Sequence, residues 1–132
     1  MKQSQEDYLK ALYDLGGEKY IVTNKDLAHR LNVSPPSVSE MLRKLFKQDY
    51  IDYEKYKGIR LTEEGVKAAE KIKRSHHLWE VFLIEKLGFK EDEVHEEAEK
   101  LEHVTSIKLQ EALDQFLGYP EKCPHGTKIN RE

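Results

Sequence analysis

Apolar residues follow two different periods along the chain, and the places where the period changes divide it into elements. From about residue 5 to 15, Tyr8, Leu9, Leu12, Tyr13 and Leu15 recur at helical spacing behind Ser4, a residue able to cap a helix. The stretch "GGEKYIVTN" breaks that pattern. Thr23 or Asn24 then opens a short helix with Leu27, Ala28 and Leu31 inward, and "NVS" makes a tight turn. Ser34 caps a second helix whose first positions are prolines, where a missing N–H costs nothing. Val38, Leu42 and Leu45 face in, while Ser37, Ser39, Glu40, Arg43, Lys44 and Lys47 look out. The period then drops to two: Ile51, Tyr53, Ile59 and Leu61 alternate around a Lys-Gly turn, the pattern of a β-hairpin. Beyond Thr62 the helical period returns in three segments, about Glu63 to Lys86, Glu91 to Val104 and Ser106 to Phe116. The tail "GYPEKCPHGTKINRE" has no periodicity.

Two short helices joined by a tight turn, the second carrying small polar and basic residues outward, predict a helix-turn-helix. A hairpin directly after it predicts a wing. A helical protein–protein module fits the two helices alone, and the wing favours DNA. The fold class expected is mainly α: a winged helix-turn-helix over 1–62, a helical metal-binding and dimerisation domain over 63–118, and a loop or linker over 119–132. The later helices hold Val81, Phe82, Leu83, Ile84, Leu87, Leu101, Leu109, Leu113, Phe116 and Leu117, more apolar surface than one small lobe hides, so a homodimer is expected. Paired recognition helices would then lie about 34 Å apart, one turn of duplex.

Charge sharpens this picture. The 132 residues carry a formal net charge of −3, which argues against indiscriminate nucleic-acid binding. Residues 1–61 hold 11 Lys and Arg against 9 Asp and Glu, whereas 62–132 hold 11 against 16. The basic excess sits where phosphate is expected and the acidic excess elsewhere. Hydrophobic content of 38% beside 36% charge suits a soluble globular chain, no apolar run approaches a membrane span of ~20 residues, and "MKQSQEDYLK" lacks the order of a secretory signal. The lone Cys123 cannot form an intrachain disulfide. A cytoplasmic protein is expected, with no membrane partner.

The candidate chemistry lies in "HEEAEKLEHVTS". On a helix, His95, Glu99, Glu102 and His103 fall within an arc of roughly 100° beside the apolar Val94, Ala98 and Leu101. Carboxylates and a histidine converging there suit a hard or borderline divalent ion such as Mn²⁺ or Fe²⁺. A charged, solvated helix face remains the alternative. A second cluster, "RSHHLWE", sets His76 and Glu80 at i, i+4 with His77 beside them. That spacing also occurs in plain surface pairs.

Taken together, "EDYLKALY", "VSPPSVSEML", "YEKYKGIRLTEEG", "HHLWEVFL" and "EKLEHVTS" resemble the diphtheria-toxin-repressor family of metal-dependent transcription regulators, and within it the manganese transport regulators. The similarity covers nearly the whole chain. It implies a metal site in which Asp7 joins Glu99, Glu102 and His103. Read from spacing alone, Asp7 is only an early helical acid favourable to the dipole. Iron-sensing relatives place sulfur ligands at the positions of Asp7 and Glu99; carboxylates at both favour Mn²⁺, with Fe²⁺ the alternative. Lys10 stands where relatives with two close ions have a further acid, which argues against a bridged pair. His76, Glu80 and His95 match a separate second site, to which Cys123 and His125 are candidate additions, an inert thiol being the other reading of Cys123. "CPHG" resembles the stretch leading to an SH3-like domain in longer relatives, and no such domain fits in the residues after it.

The expected function is a metal-activated dimeric repressor of metal-uptake genes on a pseudo-palindromic, double-stranded DNA operator. Ser34, Pro36, Ser37, Ser39 and Glu40 are expected at bases or nearby backbone, and Arg43, Lys44, Lys47, Lys57 and Arg60 mainly at phosphates. The alternatives are an Fe²⁺-responsive repressor of the same family and a winged-helix regulator not controlled by metal. An enzyme is not expected: there is no His-Glu-x-x-His run, and a di-iron bundle needs more long helices with paired motifs.

Overall fold

A computed structural model describes residues 3–54 and 56–131. The elements run α1 (Gln3–Asp14), α2 (Asn24–Leu31), α3 (Pro35–Lys47), β1 (Ile51–Glu54), β2 (Gly58–Leu61), α4 (Glu63–Glu85), α5 (Glu91–Glu102) and α6 (Ile107–Phe116). The protein is mainly α, as the periodicity predicts. Because α1 already includes Gln3, Ser4 lies inside it and does not cap it. The chain forms two compact units that divide between Glu70 and Lys71, within the continuous helix α4. No helix among the described residues is long and apolar enough to cross a membrane.

In the first unit, local chemistry sets each boundary. Thr23 caps α2 by accepting from Asp26 N at 3.0 Å, and Asn32 ends it in the left-handed region at φ 54°. Ser34 caps α3 through Ser37 N, with Pro35 and Pro36 in the first turn. Leu27, Val38 and Leu45 are fully buried between α1, α2 and the hairpin, joined by Leu9, Leu12, Ile51 and Ile59. β1 and β2 pair antiparallel with Ile51 opposite Leu61 and Tyr53 opposite Ile59. Val22 adds a bridge to the free side of β2, exchanging both backbone bonds with Ile59 at 2.7 and 2.8 Å. Thr62 couples the wing to the next helix: its hydroxyl donates to Asp49 O at 2.6 Å and accepts from Gly65 N at 3.1 Å.

In the second unit, Leu78 and Val81 of α4 pack on Leu113 of α6 and on Ile129, with Trp79, Phe82 and Leu117 around them. Trp79 Nε1 donates to Thr105 Oγ1 at 2.8 Å, and that hydroxyl donates to Leu101 O at 2.6 Å, pinning the end of α5 to α4. The tail has no helix or named strand, yet it is well anchored: Cys123 and Ile129 are buried, and Lys122 bridges Lys128.

Gly58 is the most constrained point of the wing. Its φ is +139°, and a Cβ there would stand 2.2 Å from Val22 O. Gly58→Ala is therefore expected to cost about 3 kcal/mol, from backbone strain and overpacking together. Urea denaturation checks this; a variant as stable as the parent would mean that the Val22 segment does not hold the wing.

Candidate metal centre and nucleic-acid interface

The face expected to meet DNA is built on α3. Its inward stripe, Val38, Leu42 and Leu45, is buried, so helical geometry turns the remaining residues outward. Ser34, Pro36, Ser37, Ser39, Glu40, Arg43, Lys44 and Lys47 are all exposed. On the hairpin Lys57 and Arg60 are exposed too, Lys57 3.9 Å from Glu54 and Arg60 donating to Glu18 O at 3.4 Å. Between α2, α3 and β1 lies an open pocket of about 210 Å³ lined by Asn24, Ser39, Leu42, Arg43 and Tyr53. Tyr53, half exposed, and Asn24 thus share a wall with two of the expected DNA residues, a juxtaposition that sequence spacing does not reveal.

The second unit gathers its titratable groups around Glu80 of α4. This carboxylate is 2% exposed, among the most buried side chains of the protein. Helical spacing places His76 four residues and His77 three residues before it, on the same face. His76 Nε2 stands 3.4 Å from Glu80 Oε2, and His77 Nδ1 lies 3.1 Å from Oε1. The tail brings His125 Nδ1 to 3.4 Å from Oε2. Donor atoms of His76, Glu80 and His95 lie within 4.8 Å of one another, and so do those of His77, Glu80 and Cys123. The rings of His76 and His95 meet edge to face at 4.9 Å.

His76 also ties this cluster to α5. Its Nδ1 lies 2.6 Å from Glu102 Oε1, and Glu102 is 3% exposed. Burial alone would push the His76 imidazole down, but hydrogen bonds and charge from Glu102 and Glu80 outweigh it and raise the pKa to about 9. Burial likewise works against ionisation of Glu80, yet His76 and His77 hold it down at about 2. His103, whose side chain is 3% exposed, follows Glu102 as the cap of α5, with Nε2 3.4 Å from Glu102 Oε2. Glu99 is half exposed and faces His95 at 3.8 Å. Asp7 lies half-buried on α1, in the first unit.

The second unit therefore assembles His76, Glu80, His95, Cys123 and His125, and separately joins Glu102 to His103 and to His76. His77 is the member that the sequence reading notes beside the cluster but does not count among the ligands. Its signal is the i, i+3 spacing to Glu80, the same arithmetic that marks His76. The donor chemistry fits a divalent ion: two buried carboxylates are flanked by imidazoles and a thiol, all of them groups that ligate such ions. Glu96, Glu97 and Lys100 lie at the surface, Lys100 pairing with Glu97 at 3.6 Å.

Comparison with known proteins places both units. Residues 1–59 match the family model of the iron dependent repressor N-terminal DNA binding domain, and residues 62–131 match the iron dependent repressor metal binding and dimerisation domain. An HTH-type transcriptional regulator of Methanocaldococcus jannaschii is 42% identical over 89% of this chain and 94% of its own length. The HTH-type transcriptional regulator MntR of Oceanobacillus iheyensis is 35% identical over 88% of this chain and 78% of its own. The solved structure of the manganese regulator SloR superimposes with a TM-score of 0.83 at 44% identity; it is matched over 99% of this chain, which spans 61% of that protein's length. The chain belongs to the iron-dependent repressor family of metal-dependent transcription regulators, which are not enzymes.

Proposed function

We propose that this protein is a metal-activated transcriptional repressor, responsive chiefly to Mn²⁺, that acts in the cytoplasm as a homodimer on double-stranded operator DNA of metal-uptake genes. The observation that carries this reading is the pair of buried carboxylates, Glu80 and Glu102, joined through His76 inside the domain matched to metal binding. Buried charge of that kind is expensive unless a cation answers it. Glu99, Glu102 and His103, with Asp7 from α1, would hold one ion. Glu80 would hold another with His76, His95, Cys123 and His125. The bound ion supplies positive charge that offsets several carboxylates at once.

Carboxylates at Asp7 and Glu99 support Mn²⁺ over softer ions, and so does the manganese regulator SloR by name. Exposed Val104, Ile107 and Phe116, on and around α6, leave an apolar surface in keeping with dimerisation. Coupling between ion and DNA binding in such switches is about 1–3 kcal/mol, several-fold to a hundred-fold in operator occupancy.

Counting Mn²⁺ ions per chain by electron paramagnetic resonance, and then measuring binding to a duplex selected from a random pool, tests the reading. One or two ions and DNA binding reversed by chelation are expected. Glu102→Ala should lose most of the Mn²⁺ stimulation; if stimulation survives in that variant, the ligand assignment is wrong. DNA binding indifferent to chelator would instead identify a winged-helix regulator with no metal control.

Phosphate contacts carry a different signature. Arg43→Ala should weaken binding to selected and random duplexes alike and lower the salt slope of log affinity by about 0.9, the share of one phosphate contact. A loss confined to the selected duplex would make Arg43 a base reader.

A further inference from the structure

The segment that brings Cys123 and His125 to Glu80 is closed on itself and strapped to α6. Cys123 N donates to Thr127 O at 2.9 Å, Gly126 N to Cys123 O at 2.9 Å, and Ile129 N to Glu121 O at 2.8 Å. Gly126, at φ +90°, makes the reversal. The result is a short looped-back segment with the thiol near one end and the imidazole at its turn. Beyond its base, Arg131 forks onto Asp114 of α6: Nε donates to Oδ2 and Nη2 to Oδ1, both at 2.6 Å. The same Nη2 donates to Pro120 O at 2.6 Å, so one guanidinium grips the segment on both sides. Asp114 is 7% exposed, which makes this more than a surface pair.

We propose that Asp114 and Arg131 are positioning residues for the metal centre, a clasp that holds Cys123 and His125 against Glu80. The inference rests on the reading of Glu80, Cys123 and His125 as metal ligands. Neither member of the clasp is itself placed at the centre, and a guanidinium offers a metal no lone pair at neutral pH. Their effect is on the segment's freedom. With the clasp closed, the thiol and imidazole are ordered beforehand; with it open, an ion must order the segment itself and binds more weakly. Ile129, 2% exposed in the core of this unit, anchors the same segment, so opening the clasp loosens the loop without releasing the tail.

Co²⁺ is the probe, because a cysteine ligand gives it a sulfur-to-metal charge-transfer band in the near ultraviolet. The full chain should show that band, and Cys123→Ser should lack it while still binding Co²⁺. Arg131→Ala should need at least about tenfold more Co²⁺ to develop the band, the size seen when groups supporting metal ligands are removed. Its titration of the visible d–d bands that persist in Cys123→Ser, which report ions held without sulfur, should stay near that of the parent. Arg131→Lys keeps the charge but loses the fork and should fall between the two; it also serves if the alanine variant does not fold. An unchanged charge-transfer titration in folded Arg131→Ala and Arg131→Lys would overturn the proposal, even if both melt earlier, because a purely structural clasp shifts stability alone. If the parent binds Co²⁺ without the band, Cys123 is no ligand and the clasp serves no metal centre. If the parent binds no Co²⁺ at all, the metal-regulator reading itself has failed.

Discussion

A buried carboxylate has to be answered by something, and the second unit is organised around that requirement. Glu80 is 2% exposed in the C-terminal part of a long helix, where an unpaired negative charge would cost several kcal/mol. Two of the groups answering it come from its own helix, by the fixed geometry of i−3 and i−4. The third, His125, comes from the tail. His76 then faces a second buried acid, Glu102, so α4, α5 and the tail meet over one small set of charges. A proton on His76 answers part of that charge. A divalent ion, with two positive charges and several open coordination positions, would answer more of it. The same feature that makes the cluster costly therefore makes it selective for cations.

The second constraint is that α4 serves two cores. Val66, Ala68 and Ala69 pack with the winged helix-turn-helix, whereas Leu78 and Val81 pack with α6 and Ile129. The division between the compact units falls inside this helix and not in a loop. His76, His77 and Glu80 stand on the same helix whose first turn Thr62 and Gly65 fasten to Asp49.

Much of this was legible in the sequence, for reasons that differ by element. The helix-turn-helix was readable because its signals are local: Thr23 and Ser34 cap, two prolines open α3, and Leu27, Val38 and Leu45 keep the period. The hairpin was readable from Ile51, Tyr53, Ile59 and Leu61, although the bridge from Val22 was not, because it joins segments with no periodic relation. Ser4 misled, since a serine near a helix start resembles a cap whether or not the helix begins earlier. In the second unit, spacing found His76 and Glu80 and noted His77 beside them without counting it among the ligands, although it is equally well placed. The tail was the least legible part. Its order comes from Ile129, from Arg131 on Asp114, and from a turn at Gly126, contacts that link residues far apart and leave no pattern in the string.

The acidic second half is not uniformly a solvated surface. Glu96, Glu97 and Glu99 are exposed or half exposed, and Glu97 pairs with Lys100 in the way that contributes little to stability. Glu80, Glu102 and Asp114 are buried, and each has a specific partner: histidines for the first two, an arginine fork for the third. That difference in partner separates their roles. Arginine stays charged at any physiological pH and blocks a metal from the carboxylate it grips, so Asp114 is no candidate ligand. Histidine can give up its proton and become a ligand beside the carboxylate it faced, so Glu80 and Glu102 remain open to a cation. Which acids can take an ion follows from which base was set beside them: His76 faces both buried carboxylates, His77 and His125 face Glu80, and His103 faces Glu102.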